Sequence, residues 1–257
     1  MIQLSSKTRR FFPEIKATAQ SEGLYKSIVV LANRVRRGMT RRVRFYFCYY
    51  FNKFLRSRAT FRFQGKRYRY FVHKYNATWR NERSIEIPIV ESMMHETRGD
   101  VLEIGNVISH YFKAKHDIVD KYERAEGVTA QDVTEIQTTK RYDLIVSIST
   151  LEHVGWDEKP DHSEHVDDPE KILKAISRLC TLLKPHGKIV VTLPLGYNPY
   201  LDNLLKTRRL KFDRQFFMKR AFCGCKWVEG TWNEVKAIGF NMQVPTANAL
   251  LIGIFEN

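Results

Sequence analysis

Four short phrases carry side chains that could do chemistry, and each follows an apolar run. They are Glu103-Ile104-Gly105-Asn106-Val107, then Asp120, then Asp132-Val133, then Ser149-Thr150-Leu151-Glu152-His153. A carboxylate that ends the strand after a glycine-containing turn can accept hydrogen bonds from a ribose diol, and Asp120 lies at that distance from Glu103. No G-x-G-x-x-G follows any predicted strand, so a pyrophosphate lacks its cradle and a dinucleotide ligand is disfavoured. Histidine is the natural proton acceptor near neutral pH. His153 is therefore a candidate catalytic base or acceptor-orienting group, and the competing reading has it cap the strand end. Glu152, Tyr197 and Asn198 are candidates for the acceptor side. The dense cluster Glu152, His153, His162, Glu164, His165, Asp167 and Asp168 has the residue types of a metal site. Its polar stretch reads better as a solvated loop, and no metal is expected.

These phrases need elements that bring their ends together. From Asp100 onward apolar runs alternate with helical patterns. Val101–Ile104, His116–Asp120, Val128–Thr129, Tyr142–Ile148 and Lys188–Leu193 read as strands. Residues 168–184 read as an amphipathic helix behind Asp168 and Pro169, and Lys184-Pro185-His186-Gly187 stops it. Trp232–Phe240 reads as another helix. Asn241–Val244 and Ala249–Phe255 read as an antiparallel edge pair. Strand–helix alternation implies a parallel sheet with right-handed crossovers, and ligands sit beyond the carboxyl ends of its strands. The expected architecture is a Rossmann-like, mostly parallel, seven-stranded sheet with helices on both faces, over residues 100–257. Residues 61–99 hold a hairpin around Gln64-Gly65-Lys66 and a lead-in helix.

The order of the strand-end phrases resembles the class I S-adenosylmethionine-dependent methyltransferase superfamily, over about residues 100–195. The match to an E/D-x-G-x-G turn is Glu103 and Gly105, with Asn106 and Val107 in place of the remaining pattern. Leu151-Glu152-His153-Val154 is similar to the LEHV-type ending of small-molecule and quinone methyltransferases, and Leu182–Lys188 to the family's LLKPGG turn. The resemblance implies S-adenosylmethionine as cofactor. Glu103, Gly105 and Asn106 would lie at its methionine end, Asp120 at the ribose, Asp132 and Val133 at the adenine, and Ser149 near the methyl. It implies methyl transfer, expected as O-methylation, to a small-molecule, glycan or lipid-linked acceptor. An RNA methyltransferase and a non-catalytic scaffold with a degenerate site are the alternatives. Val107, where the family has glycine, narrows the pocket; asparagine at 106 tolerates the left-handed turn.

The net charge of +15 on 257 residues is unevenly placed. Residues 1–60 hold 14 Lys and Arg against 2 Asp and Glu, whereas residues 101–257 hold 21 of each. The front of the chain is thus a basic, aromatic-rich helical extension over 1–60, and such a charge excess suits an anionic partner. Residues 24–58 admit three readings: a helix packed on its own domain, a segment lying on an anionic membrane, or, less favoured, an RNA-binding segment. The four cysteines suit no disulfide framework or common zinc spacing, and no secretory signal is evident. A cytoplasmic protein, peripheral on a membrane in the second reading, is expected.

Overall fold

The run Tyr142–Ile148 is apolar at almost every position, as a strand covered on both faces must be. In the computed structural model, which describes residues 40–156, 168–221 and 226–257, it lies inside the sheet, between the strands Val101–Ile104 and Leu183–Pro194. The chain divides into two units, residues 1–54 and 55–257. Helix α1, Arg41–Arg56, belongs almost wholly to the first.

The second unit begins with the hairpin β1 (Thr60–Phe63) and β2 (Lys66–Arg69), paired antiparallel as expected. Gln64 and Gly65 both have positive φ, the geometry of a two-residue primed turn. A short turn at Tyr75–Arg80 leads to α2, Arg83–Glu96. The large sheet then takes β3 (Val101–Ile104), β4 (Asp117–Asp120), β5 (Val128–Ala130), β6 (Tyr142–Ile148) and β7 (Leu183–Pro194), with α3 (Lys171–Cys180) before β7. After it come α4 (Pro199–Lys206), β8 (Arg214–Arg220), β9 (Trp227–Gly230), the single turn α5 (Trp232–Val235) and β10 (Ala249–Glu256).

The sheet order is β5-β4-β3-β6-β7-β10-β8-β9. Strands β5, β4, β3, β6 and β7 run parallel, and β10 runs antiparallel to both β7 and β8. This is a Rossmann-like α/β sheet with a reversed strand inserted beside the parallel block. It has eight strands rather than seven, because Arg214–Gly230 contributes the pair β8 and β9. The alternation in Arg214-Gln215-Phe216-Phe217-Met218-Lys219-Arg220 reads as a basic region by composition, yet Met218 is fully buried. Strand β10 explains the pairing. It is buried from Ala249 to Ile254, so each edge of its backbone needs a partner. Asn241–Val244 makes only a single bridge, Asn241 to Thr246, and the helix expected over 232–240 stops after one turn. The helix expected over 168–184 is shorter at both ends, and β7 opens at Leu183.

Alternate side chains send the sheet's apolar groups to opposite faces. Ile145 and Val191 join one core with Ile172, Ile176 and Leu179 of α3 and Leu201 and Leu204 of α4. Leu144, Val146 and Ile148 join the other, with Phe61 and Phe63 of the hairpin and Ile85, Ile87 and Ile89 of α2. Helices thus cover both faces, and the loops after the strands are left to gather at one edge.

Candidate active site

The turn after β3 is tied down by carboxylates. Glu103 is fully buried, and its Oε1 accepts from the amides of Val107 at 2.9 Å and Ile108 at 2.7 Å. Its Oε2 lies 2.7 Å from Nε2 of His116, so both oxygens serve the protein. Gly105 has φ +81, and a Cβ there would strike the side chain of Thr150, so glycine is required twice over. Asn106 donates its amide to Asp120 Oδ2 at 3.1 Å. Its side chain accepts from Ser109 Oγ. Asp120 Oδ1 takes the amides of Tyr122 and Glu123 at 2.8 and 2.7 Å. The amides of 106, 107 and 108 are therefore all spent on carboxylates. These three amides are thus not open to an anion, whereas carboxylates close by favour a cation.

Asp132 caps the short turn Val133–Glu135 through Thr134, and its Oδ2 pairs with Lys171 at 3.0 Å and Lys121 at 3.1 Å. Burial works to raise its pKa, but the Thr134 bonds and the two ammoniums win and hold it well below the ordinary range. Val133 is buried in the core beside it.

At the end of β6, Ser149 has φ +37, a left-handed conformation unusual for serine. Its Oγ donates to Glu86 Oε1 at 2.5 Å, and Thr192 Oγ1 of β7 donates to the same oxygen at 2.6 Å. Glu86 Oε2 receives Nη1 of Arg83 at 2.6 Å, and Arg83 Nη2 reaches the carbonyl of Ser149 at 3.3 Å. The network joins α2 to the ends of two strands with the Glu86 carboxylate fully enclosed. Burial works to lower the Arg83 pKa, but Glu86 and Glu82 outweigh it and hold the guanidinium charged. Tyr111 lies close enough to feel that charge. Burial nevertheless pushes its phenol up to about 12.

Beside this network Glu152 is buried, and its Oε2 has no hydrogen-bond partner; Ser147 Oγ is the other such atom among the described residues. Burial pushes the Glu152 carboxyl up to about 8, against the pull of His153. His153 is partly exposed, its Nε2 3.8 Å from Glu152 Oε1 and its Nδ1 3.5 Å from the hydroxyl of Tyr197. Tyr197 meets the His153 ring edge-on at 5.2 Å. Asn198 is buried and serves the scaffold: Oδ1 caps α4, and Nδ2 donates to the Glu152 carbonyl at 2.7 Å. The structure thus gathers Glu152, His153, Tyr197 and Asn198 at the ends of β6 and β7, and Gly105, Asn106, Asp120 and Asp132 at the ends of β3, β4 and β5.

Sequence reasoning missed Arg83, Glu86, Thr192 and His116. A signal for Glu86 exists: a lone carboxylate inside Ile85-Glu86-Ile87-Pro88-Ile89-Val90 must be buried and therefore partnered. Among the described residues no group of three His, Cys, Asp or Glu is placed to hold a metal ion. His162, Glu164, His165 and Asp167 lie outside the described residues, as do Cys223 and Cys225.

No protein-family model and no curated protein matches the sequence. Solved structures with a similar course include the N-methyltransferase NodS from Bradyrhizobium japonicum in complex with S-adenosyl-L-homocysteine, at 15% identity and TM-score 0.37, covering 68% of this chain and 87% of that one. TehB from Haemophilus influenzae matches at 11% identity and TM-score 0.41, over 72% and 64%. A S-adenosylmethionine-dependent methyltransferase from Clostridium acetobutylicum matches at 11% and 0.33, over 64% and 88%. Likeness at this level carries no weight on substrate or activity.

Proposed function

We propose that the chain is a methyltransferase that takes its methyl group from S-adenosylmethionine and passes it to a hydroxyl of a small-molecule, glycan or lipid-linked acceptor. The observation that carries this reading is the turn after β3: its amides are closed to phosphate by Glu103 and Asp120, so it suits an adenosyl ligand whose charge is a positive sulfonium. Gly105 and Asn106 would border the methionine end. Asp120, only partly buried, keeps accepting capacity for a ribose diol, since a carboxylate has about four lone-pair sites. Asp132 and Val133 would border the base, and Ser149 the methyl. When bound, the cofactor supplies an electrophilic methyl on sulfur.

The chain's own part is to position the acceptor and hold its proton. His153, set between Tyr197 and the Glu152 carboxyl, accepts or orients the proton of the attacking hydroxyl. Glu152, with one oxygen unpartnered, is the second group able to take a hydrogen bond from the acceptor. Positioning and a fixed electrostatic frame supply most of the acceleration in such in-line transfers. Calorimetric titration with S-adenosylhomocysteine tests the reading: the intact chain is expected to bind, and Asp120→Ala to bind more weakly. Absence of heat at millimolar ligand would make the chain a non-catalytic scaffold.

A further inference from the structure

Helix α1 carries two opposed stripes. Phe45, Tyr49, Asn52 and Arg56 follow one another at steps of four, three and four, and all are partly or wholly buried. Val43, Phe47, Tyr50 and Phe54 follow the same steps on the other side. There Val43 is 50% exposed, Tyr50 63% and Phe54 77%, while Phe47 is half-buried and stacks on Phe51. Tyr46 and Phe51 border this outer stripe and are exposed as well. Arg42 and Lys53 fall on one flank and Arg44 on the other, all exposed. A soluble surface normally inverts this arrangement, putting the rings inside and the amide of Asn52 outside.

We propose that α1 docks the chain on an anionic lipid bilayer, its outer aromatic stripe lying at headgroup depth and its flanking cations on lipid phosphates. This is independent of the methyl-transfer reading. Charge argues for the partner: no acidic residue occurs between Glu22 and Glu82, so no side chain of the helix or of the sequence flanking it carries a charge that opposes an anionic surface. The same charges argue against a second copy, which would bring Arg42, Arg44 and Lys53 against themselves. Placement argues against RNA, because the apolar stripe is central and the cations peripheral, whereas a phosphate-reading helix needs cations at its centre. Length argues for lying rather than crossing: α1 has 16 residues, and no described helix is long and apolar enough to span a membrane.

The test uses the full chain and sedimentation with vesicles of phosphatidylcholine alone or with about one third phosphatidylglycerol. Binding is expected to the anionic vesicles and to weaken with salt. The double variant Tyr50→Ser, Phe54→Ser removes two exposed rings and is expected to lower partitioning by about tenfold or more, with the thermal melt unchanged. A single Phe54→Trp variant is expected to shift its emission to the blue on anionic vesicles and to be quenched by brominated lipid. Equal partitioning of the double variant and the parent would overturn the proposal. So would an unshifted Phe54→Trp spectrum, or RNA binding or self-association in place of vesicle binding.

Discussion

Replacing Glu152 by glutamine should change how stability depends on pH. Burial lifts this carboxyl from its ordinary 4.5 to about 8, with Glu86 adding to the lift and His153 and Arg83 opposing it. Between those values the unfolded chain is ionised while the folded chain keeps the proton, so unfolding releases one proton. Stability therefore falls as pH rises, by about 1.4 kcal/mol per pH unit for that proton. Over the whole window the loss is about 5 kcal/mol, fully absent below pH 4.5 and fully present above pH 8. Glutamine keeps the shape and cannot titrate. Relative to the parent, Glu152→Gln should thus gain about 3 kcal/mol between pH 4.5 and pH 7, and level off above pH 8. Urea unfolding followed by circular dichroism at half-unit steps from pH 4.5 to 8.5 measures the difference, and titration of groups remote from Glu152 cancels between the two proteins. A gap that stays constant within about 1 kcal/mol across the window would refute the picture of a neutral, buried acid.

Truncating Glu86 to alanine strands a half-buried guanidinium and two hydroxyls, and should cost about 3 kcal/mol in urea unfolding. An Arg83→Met, Glu86→Met double variant should recover part of that loss, because no guanidinium is left unpaired while the two hydroxyls still lack their acceptor. For His153→Ala, turnover should fall by about a hundredfold with affinity for S-adenosylhomocysteine unchanged; a loss of only a few-fold would discard the proton-handling role.

The parallel half of the sheet was legible because buried strands leave short apolar runs that end in turn residues. Tyr142–Ile148 coincides with β6, and the hairpin declared itself by alternation around Gln64-Gly65. Of the antiparallel half, Ala249–Phe255 was legible as β10, but β8 was not, since it owes its place to a neighbour distant in sequence. Its arginines and lysines mask Phe216, Phe217 and Met218, and only the demand of β10 for a second partner reveals it. The same division runs through the candidate site. Glycine at 105 and acids at 103, 120 and 132 follow from strand ends. Which of them is consumed by backbone depends on hydrogen bonds across strands, and composition does not encode those. Asn198 shows the difference well: its residue type and place next to Pro199 signal a helix cap as strongly as they signal a ligand contact, and capping is what the side chain does.

The spent amides after β3 bear on competition inside a cell. A site that reads ribose and adenine meets nucleoside triphosphates and dinucleotides, which share both features. Discrimination by added contacts gains little against such look-alikes, whereas withheld donors and nearby negative charge reject them all at once. In the proposed reading, Glu103 and Asp120 already hold the loop, so that rejection would be built in before any ligand arrives and the loop would need little further ordering.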